Sequence, residues 1–88
     1  MDELAANLHP MLIDLIATSI RRDAGTIARD TRLSDIEVDS LVIAGMLADL
    51  EHRLAFVFPP DHLVWFYEAD TVGEFSDAVL RSTIGHSP

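Results

Sequence analysis

The sequence predicts an all-α fold, a small bundle of three substantial helices and one short element, with a long connection after the first helix. Two segments carry apolar residues at steps of three and four, and a third opens on a helix-start signature. A chain of 88 residues without cysteine must be held by packing alone, which a 49% hydrophobic content allows. Its length suits one domain with one core, read as residues 1–88, and is too short for two.

In residues 4–20, Leu4, Leu8, Leu12, Leu15, Ile16 and Ile20 form the stripe of an amphipathic helix. Pro10 leaves the start open: the stable helix begins near His9 with Pro10 at its first position, or a longer helix bends there. Arg21 and Arg22 suit the negative end of the helix dipole, and Gly25 is the expected left-handed terminator. Residues 26–39 form the long connection, anchored by Ile27, Leu33 and Ile36; a loop of this length is uncommon unless it has a task. Asp39 is placed to cap a second helix over residues 40–54, with Leu41, Ala44, Leu47, Ala48, Leu50 and Leu54 on one face. Phe56, Val57 and Phe58 run into Pro59-Pro60, which stops regular structure. The patch Leu63-Val64-Trp65-Phe66-Tyr67 reads as a short helix or irregular turn. Thr71-Val72-Gly73-Glu74 fits a capping box, so the last helix starts there, buries Phe75, Ala78 and Val79, and ends at Gly85 shortly before Pro88.

Fifteen Asp and Glu against six Arg leave a formal charge of −9, which argues against nucleic-acid partners and anionic lipid. The hydrophobic content excludes a disordered acidic chain, since those combine high charge with low hydrophobicity. The acidic start Met1-Asp2-Glu3 is unlike a signal peptide and no apolar stretch approaches membrane-spanning length, so a cytoplasmic protein is expected.

Catalytic and metal motifs fail when tested. A calcium loop begun at Asp35 has Ser40 where the turn glycine belongs and Met46 where the bidentate Glu is required; one begun at Asp30 puts Asp35 and Leu41 there. His9, His52, His62 and His86 lack zinc-helix spacing and read as surface residues, and no nucleophile elbow or phosphate loop is present. Neither an enzyme nor a metal site is expected.

What remains is Asp35-Ile36-Glu37-Val38-Asp39-Ser40-Leu41, a serine opening an apolar helix after a long loop. Alone, Asp-Ser before a helix is an ordinary cap. Here the segment resembles the attachment motif of acyl carrier proteins, in which D-S-L opens the second helix and the serine carries 4′-phosphopantetheine. Asp30-Thr31-x-Leu33, Leu50-Glu51-x-x-Leu54, a proline soon after, and Thr71-Val72-Gly73-Glu74-Phe75 follow the family's order over about 60 residues from Ile27 onward. The resemblance implies an acyl-carrier bundle with a short third helix, Ser40 as the attachment residue between Asp39 and Leu41, and 4′-phosphopantetheine as cofactor. It implies that Asp39 engages a phosphopantetheinyl transferase. Further partners would be an acyltransferase, ketosynthase or adenylating enzyme.

Two positions depart from the family. Glu37 stands where glycine is usual, so the turn is made without a residue free at φ > 0, or Glu37 is strained. The second helix, which such carriers commonly present as an acidic face, holds only Asp49 and Glu51 against Arg53, and Val42, Ile43 and Met46 are read as its outward positions. Either these three form an apolar contact patch for a partner, with Asp49 and Glu37 beside it, or they cover core or arm. Trp65, Phe66 and Tyr67 are expected to pack, with the shelter of an acyl chain as the alternative.

The expectation is thus a freestanding, monomeric carrier of an acyl thioester in polyketide or fatty-acid-like, specialised biosynthesis, the Val-Asp-Ser-Leu form looking more like that branch than the peptidyl one. The alternatives are an aminoacyl carrier of a nonribosomal or mixed pathway and, from another class, a helical interaction module in which Ser40 is only a cap.

Overall fold

The computed structural model describes residues 2–85, with side chains described over residues 7–83. Four helices follow in chain order: α1 (Asp2–Ile20), α2 (Ser40–Leu54), α3 (Leu63–Tyr67) and α4 (Val72–Gly85). Short 3₁₀ turns at Ala24–Thr26, Ser34–Ile36 and Pro60–His62 punctuate the connections. The all-α bundle with a short third helix is therefore the observed architecture. Among the described residues, no helix is long and apolar enough to cross a membrane.

Of the two beginnings that Pro10 left open, the longer helix is the one formed: α1 starts well before Pro10 and contains it. Pro10 is exposed, so the backbone bond it cannot donate is lost on the solvent side, where water can replace it. Helix α1 ends one turn earlier than Gly25 suggested. Arg21 takes the left-handed conformation at φ 59°, and the Arg22 amide reaches back to the Ala17 carbonyl at 2.9 Å, a Schellman closure without glycine. Gly25 has no positive φ and sits in the following 3₁₀ turn. The α2 terminus repeats the device with Ala55 at φ 51°: its amide bonds the His52 carbonyl and that of Phe56 bonds the Glu51 carbonyl.

Helix α1 packs on α2 and α4, and α3 packs on both α2 and α4. Leu12, Ile16, Met46, Leu50, Phe66, Phe75 and Val79 form the fully buried centre. A chain of edge-on aromatic contacts crosses it, from Phe56 to Phe58 (5.1 Å), Phe66 (5.0 Å) and Phe75 (6.0 Å). Only Phe66 of the 65–67 triplet is core; Trp65 is half-buried and Tyr67 is exposed.

The buried face of α2 is Ile43, Met46, Leu47 and Leu50, and this corrects the outward placement of Ile43 and Met46, which are 5% and 1% exposed. Val42 is half-buried, whereas Leu41, Ala44, Gly45 and Ala48 face solvent. Both stripes advance by three and four, so spacing alone does not choose between them. The set with the larger side chains fills the space against α1 and the aromatic chain, because buried apolar area is what stabilises the packed helix.

Two buried serines on α4 correct the reading of the histidines. His9 Nδ1 lies 3.1 Å from Ser76 Oγ and His62 Nδ1 lies 2.8 Å from Ser82 Oγ, both histidines being half-buried rather than on the surface. His52 is exposed; His86 and Pro88 lie outside the described residues.

The long connection is laid over the core as expected, with Ile27, Leu33 and Ile36 buried and Val38 buried beside them. It is tied to the start of α4 and the segment just before it by three backbone bonds: Leu33 N–H to Asp70 O, Val72 N–H to Thr31 O and Gly73 N–H to Arg29 O, at 2.8 to 2.9 Å. Arg29 adds an ion pair in which its Nη2 lies 2.9 and 2.8 Å from the two carboxylate oxygens of Asp77. The loop's path thus brings residues 33–40 against residues 67–70.

Candidate functional site

The approach to Ser40 is built residue by residue. Ile36 and Val38 plug into the core, and between them Glu37 is held left-handed at φ 62°, ψ 30°. The strained alternative is therefore the one realised, at a cost of about 1–2 kcal/mol for a residue with a Cβ. The Val38 amide turns back to the Leu33 carbonyl at 2.9 Å, and Asp39 follows in extended conformation. Asp39 is the N-cap of α2: its Oδ1 accepts the Val42 amide at 2.9 Å while its carbonyl accepts that of Ile43.

Ser40 is then the first residue of the helix, exposed, with Leu41 beside it 79% exposed. The Val42 and Ile43 amides are taken by Asp39, and those of Ser40 and Leu41 have no acceptor among the described residues. A shallow cleft of about 190 Å³ opens beside the hydroxyl. Leu33, Val38 and Ile43 floor it, and Tyr67, Ala69 and Asp70 stand across from Asp39 and Ser40. Those last three carry no sequence signal for this site, since some 30 residues separate them from Ser40 and only the loop's backbone bonds to residues 70–73 bring them near.

The other residues singled out from sequence fall in three groups. Glu37, Asp39 and Leu41 surround Ser40 and are exposed. Asp49 lies further along α2, half-buried and paired with Arg53 Nε at 3.3 Å. Val42 is at the margin, while Ile43 presents only to the cleft floor and Met46 is sealed in the core. Glu51, the second acid of α2, accepts the Phe58 amide at 2.9 Å and so braces the α2–α3 connection. Among the described residues no group of three or more His, Cys, Asp or Glu side chains is arranged to hold a metal ion.

A larger groove of about 370 Å³ runs between α3 and α4. Glu68, Asp70, Glu74 and Asp77 line it together with Trp65 and Arg81, and it shares Ala69 and Asp70 with the Ser40 cleft.

Comparison with curated proteins and with solved structures returned no match. The family model described as phosphopantetheine attachment site matches residues 11–79, which takes in the loop, the capped serine, the aromatic segment and the start of α4. A match over that much of the chain places this protein in the phosphopantetheine-attachment family, whose members are non-catalytic carriers of a 4′-phosphopantetheine arm.

Proposed function

We propose that Ser40 bears the phosphopantetheine arm and that the protein shuttles an acyl intermediate between enzymes of a polyketide or fatty-acid-like, specialised pathway. The observation that carries the attachment site is the position of Ser40: an exposed primary hydroxyl on the first turn of α2, with two unpartnered backbone amides beside it. The group fits these residues. A phosphodiester at this oxygen is an anion at the positive end of a 15-residue helix, favoured by about 0.3–1 kcal/mol at an exposed site. When bound, the arm supplies a terminal thiol that holds cargo as a thioester, chemistry the cysteine-free chain cannot supply.

The chain's own residues position the serine. Asp39 fixes the helix start and hence the direction of the hydroxyl. Val38 and Ile36 hold the loop against the core, and Glu37 makes the reversal between them. None of these activates the hydroxyl; a transferase provides the base and Mg²⁺. The acyl branch is supported by the Val38-Asp39-Ser40-Leu41 sequence, and specialised use by the small uncharged residues Ala44, Gly45 and Ala48 on the exposed side of α2.

Incubation with coenzyme A, Mg²⁺ and a broad-specificity phosphopantetheinyl transferase, read by intact mass, tests the attachment. One phosphopantetheine increment on the wild type and none on Ser40→Ala is the expected result. No increment on the folded wild type, or an undiminished one on Ser40→Ala, would reject it.

A further inference from the structure

We infer that Glu74, on the first turn of α4, is a positioning residue for Ser40, an inference that rests on the carrier reading above. Its carboxylate stands at the head of a hydrogen-bond relay that crosses from α4 to the cap of α2. The relay begins in the α4 capping box, where Glu74 Oε1 accepts the Asp70 amide at 2.8 Å and the Thr71 amide at 3.2 Å. The Asp70 carbonyl and the Thr71 N–H belong to one trans peptide and point in opposite directions, so clamping the N–H aims the carbonyl away from the carboxylate. There it accepts the Leu33 amide at 2.9 Å. The Leu33 carbonyl in turn accepts the Val38 amide at 2.9 Å, closing the reversal made at left-handed Glu37. Asp39 follows Val38 and caps α2 through the Val42 amide at 2.9 Å, with Ser40 next in the chain.

Two features give the relay its leverage. A carboxylate is a strong acceptor and polarises the peptide it binds, which makes the Asp70 carbonyl a better acceptor for Leu33. The residues it holds also shape the cleft: the Leu33 side chain is part of the floor and Asp70 stands across from Ser40. Burial of Leu33, Ile36 and Val38 keeps the loop on the core, but apolar burial is non-directional. The bonds from Val72 and Gly73 fix Thr31 and Arg29, so the direction in which the chain arrives at Asp39 is set by Leu33 and Val38, the members of the relay.

The capping box contains its own control. Its other half, the Glu74 amide donating to Thr71 Oγ at 3.1 Å, closes the first turn of α4 and involves no atom of the loop. Thr71→Ala therefore weakens the α4 cap and leaves the relay in place, whereas Glu74→Ala removes its head. Glu74→Gln keeps an acceptor oxygen and discards the charge.

The test measures two quantities on these three variants and the wild type: loading of Ser40 from coenzyme A by a broad-specificity phosphopantetheinyl transferase, and amide hydrogen exchange. Glu74→Ala is expected to lower kcat/KM for loading about fivefold and to speed exchange at Leu33, Val38 and Val42 by a similar factor, the loss of about one net hydrogen bond. Thr71→Ala and Glu74→Gln are expected to stay within about twofold of wild type in loading and in exchange at those three amides. Equal loading losses in Glu74→Ala and Thr71→Ala would reduce Glu74 to a helix cap. Equal losses in Glu74→Ala and Glu74→Gln would assign the effect to charge, and unchanged exchange at Leu33 and Val38 in Glu74→Ala would break the relay. Each of these overturns the positioning role and leaves the carrier reading intact. Failure of the folded wild type to be loaded at all would remove both.

Discussion

His62 Nδ1 and Ser82 Oγ are 2.8 Å apart, joining the turn before α3 to a side chain of α4 that has no solvent exposure. The same imidazole stacks on Trp65 at 4.0 Å, so one residue serves both the core polar group and the wall of the groove. Removing His62 leaves the Ser82 hydroxyl without its long-range partner, and a buried unsatisfied group costs about 1–3 kcal/mol. His62→Ala is expected to destabilise by that order. Ser82→Ala alone should cost less, because it removes the polar group along with its bond. The double variant should fall short of the sum of the two singles by about 1 kcal/mol in urea unfolding, which a double-mutant cycle would measure.

Glu37 and Ala55 both occupy left-handed backbone, at φ 62° and 51°. Glycine at either place relieves a Cβ clash of about 1–2 kcal/mol and returns part of it as unfolded-chain entropy, leaving a net gain of about 0.5–1 kcal/mol. Glu37→Gly and Ala55→Gly should each raise the urea midpoint without changing the slope. The gain at Glu37 should leave Ser40 loading no slower, since Asp39 still caps α2 through Val42.

Gly45 in α2 and Gly73 in α4 should respond oppositely to alanine. At Gly45, exposed inside α2, an added Cβ meets nothing within 4 Å, so alanine contributes its helix propensity of about 1 kcal/mol. At Gly73 the Cβ would stand 3.0 Å from the Arg29 carbonyl oxygen and 3.1 Å from its guanidine nitrogens. The guanidine can move by giving up Asp77, but the carbonyl is fixed by the Gly73 amide at 2.8 Å and by the neighbouring bonds of the connection. Gly73→Ala is therefore expected to lose about 1–2 kcal/mol despite its better propensity, and to loosen residues 29–33 in amide exchange.

Where an element is fixed by side chains contacting their own backbone, it was legible in the sequence. Asp39 caps α2 at the residue expected, and Thr71 and Glu74 close their box at 3.1 and 3.2 Å. The cap at Asp39 and the turn at Glu37 follow the same local logic, whereas Ser40 stands out through the resemblance of the segment around it to an attachment motif. What depends on distant partners was not legible. Leu41, Ala44 and Ala48 share helical spacing with Leu47, and only the aromatic chain and α1 decide that Ile43 and Met46 turn inward. His9 and His62 are held by serines 67 and 20 residues away, and nothing near Pro10 or Arg21 announces that α1 runs through the first and stops on the second. Asp70 and Tyr67 reach the site by a loop-to-linker pairing with no local signature.

The corrected face of α2 gives the sharpest mutational contrast. Met46 is 1% exposed, so Met46→Glu would bury a carboxylate without a partner in the apolar core. A loss of about 3–5 kcal/mol is expected, a large fraction of the stability of so small a domain, and circular dichroism should show a broad or absent thermal transition. Ala44→Glu and Ala48→Glu place the same charge on the opposite, exposed side, where glutamate is a good helix former, and should stay within about 0.5 kcal/mol of wild type. Because these two variants fold, they also report on the outward face itself. A fall in cargo transfer by the pathway enzyme with unchanged loading by the transferase would place the enzyme's apolar contact on Ala44, Gly45 and Ala48. Equal rates in both reactions would show that the small-residue face is not read by either partner.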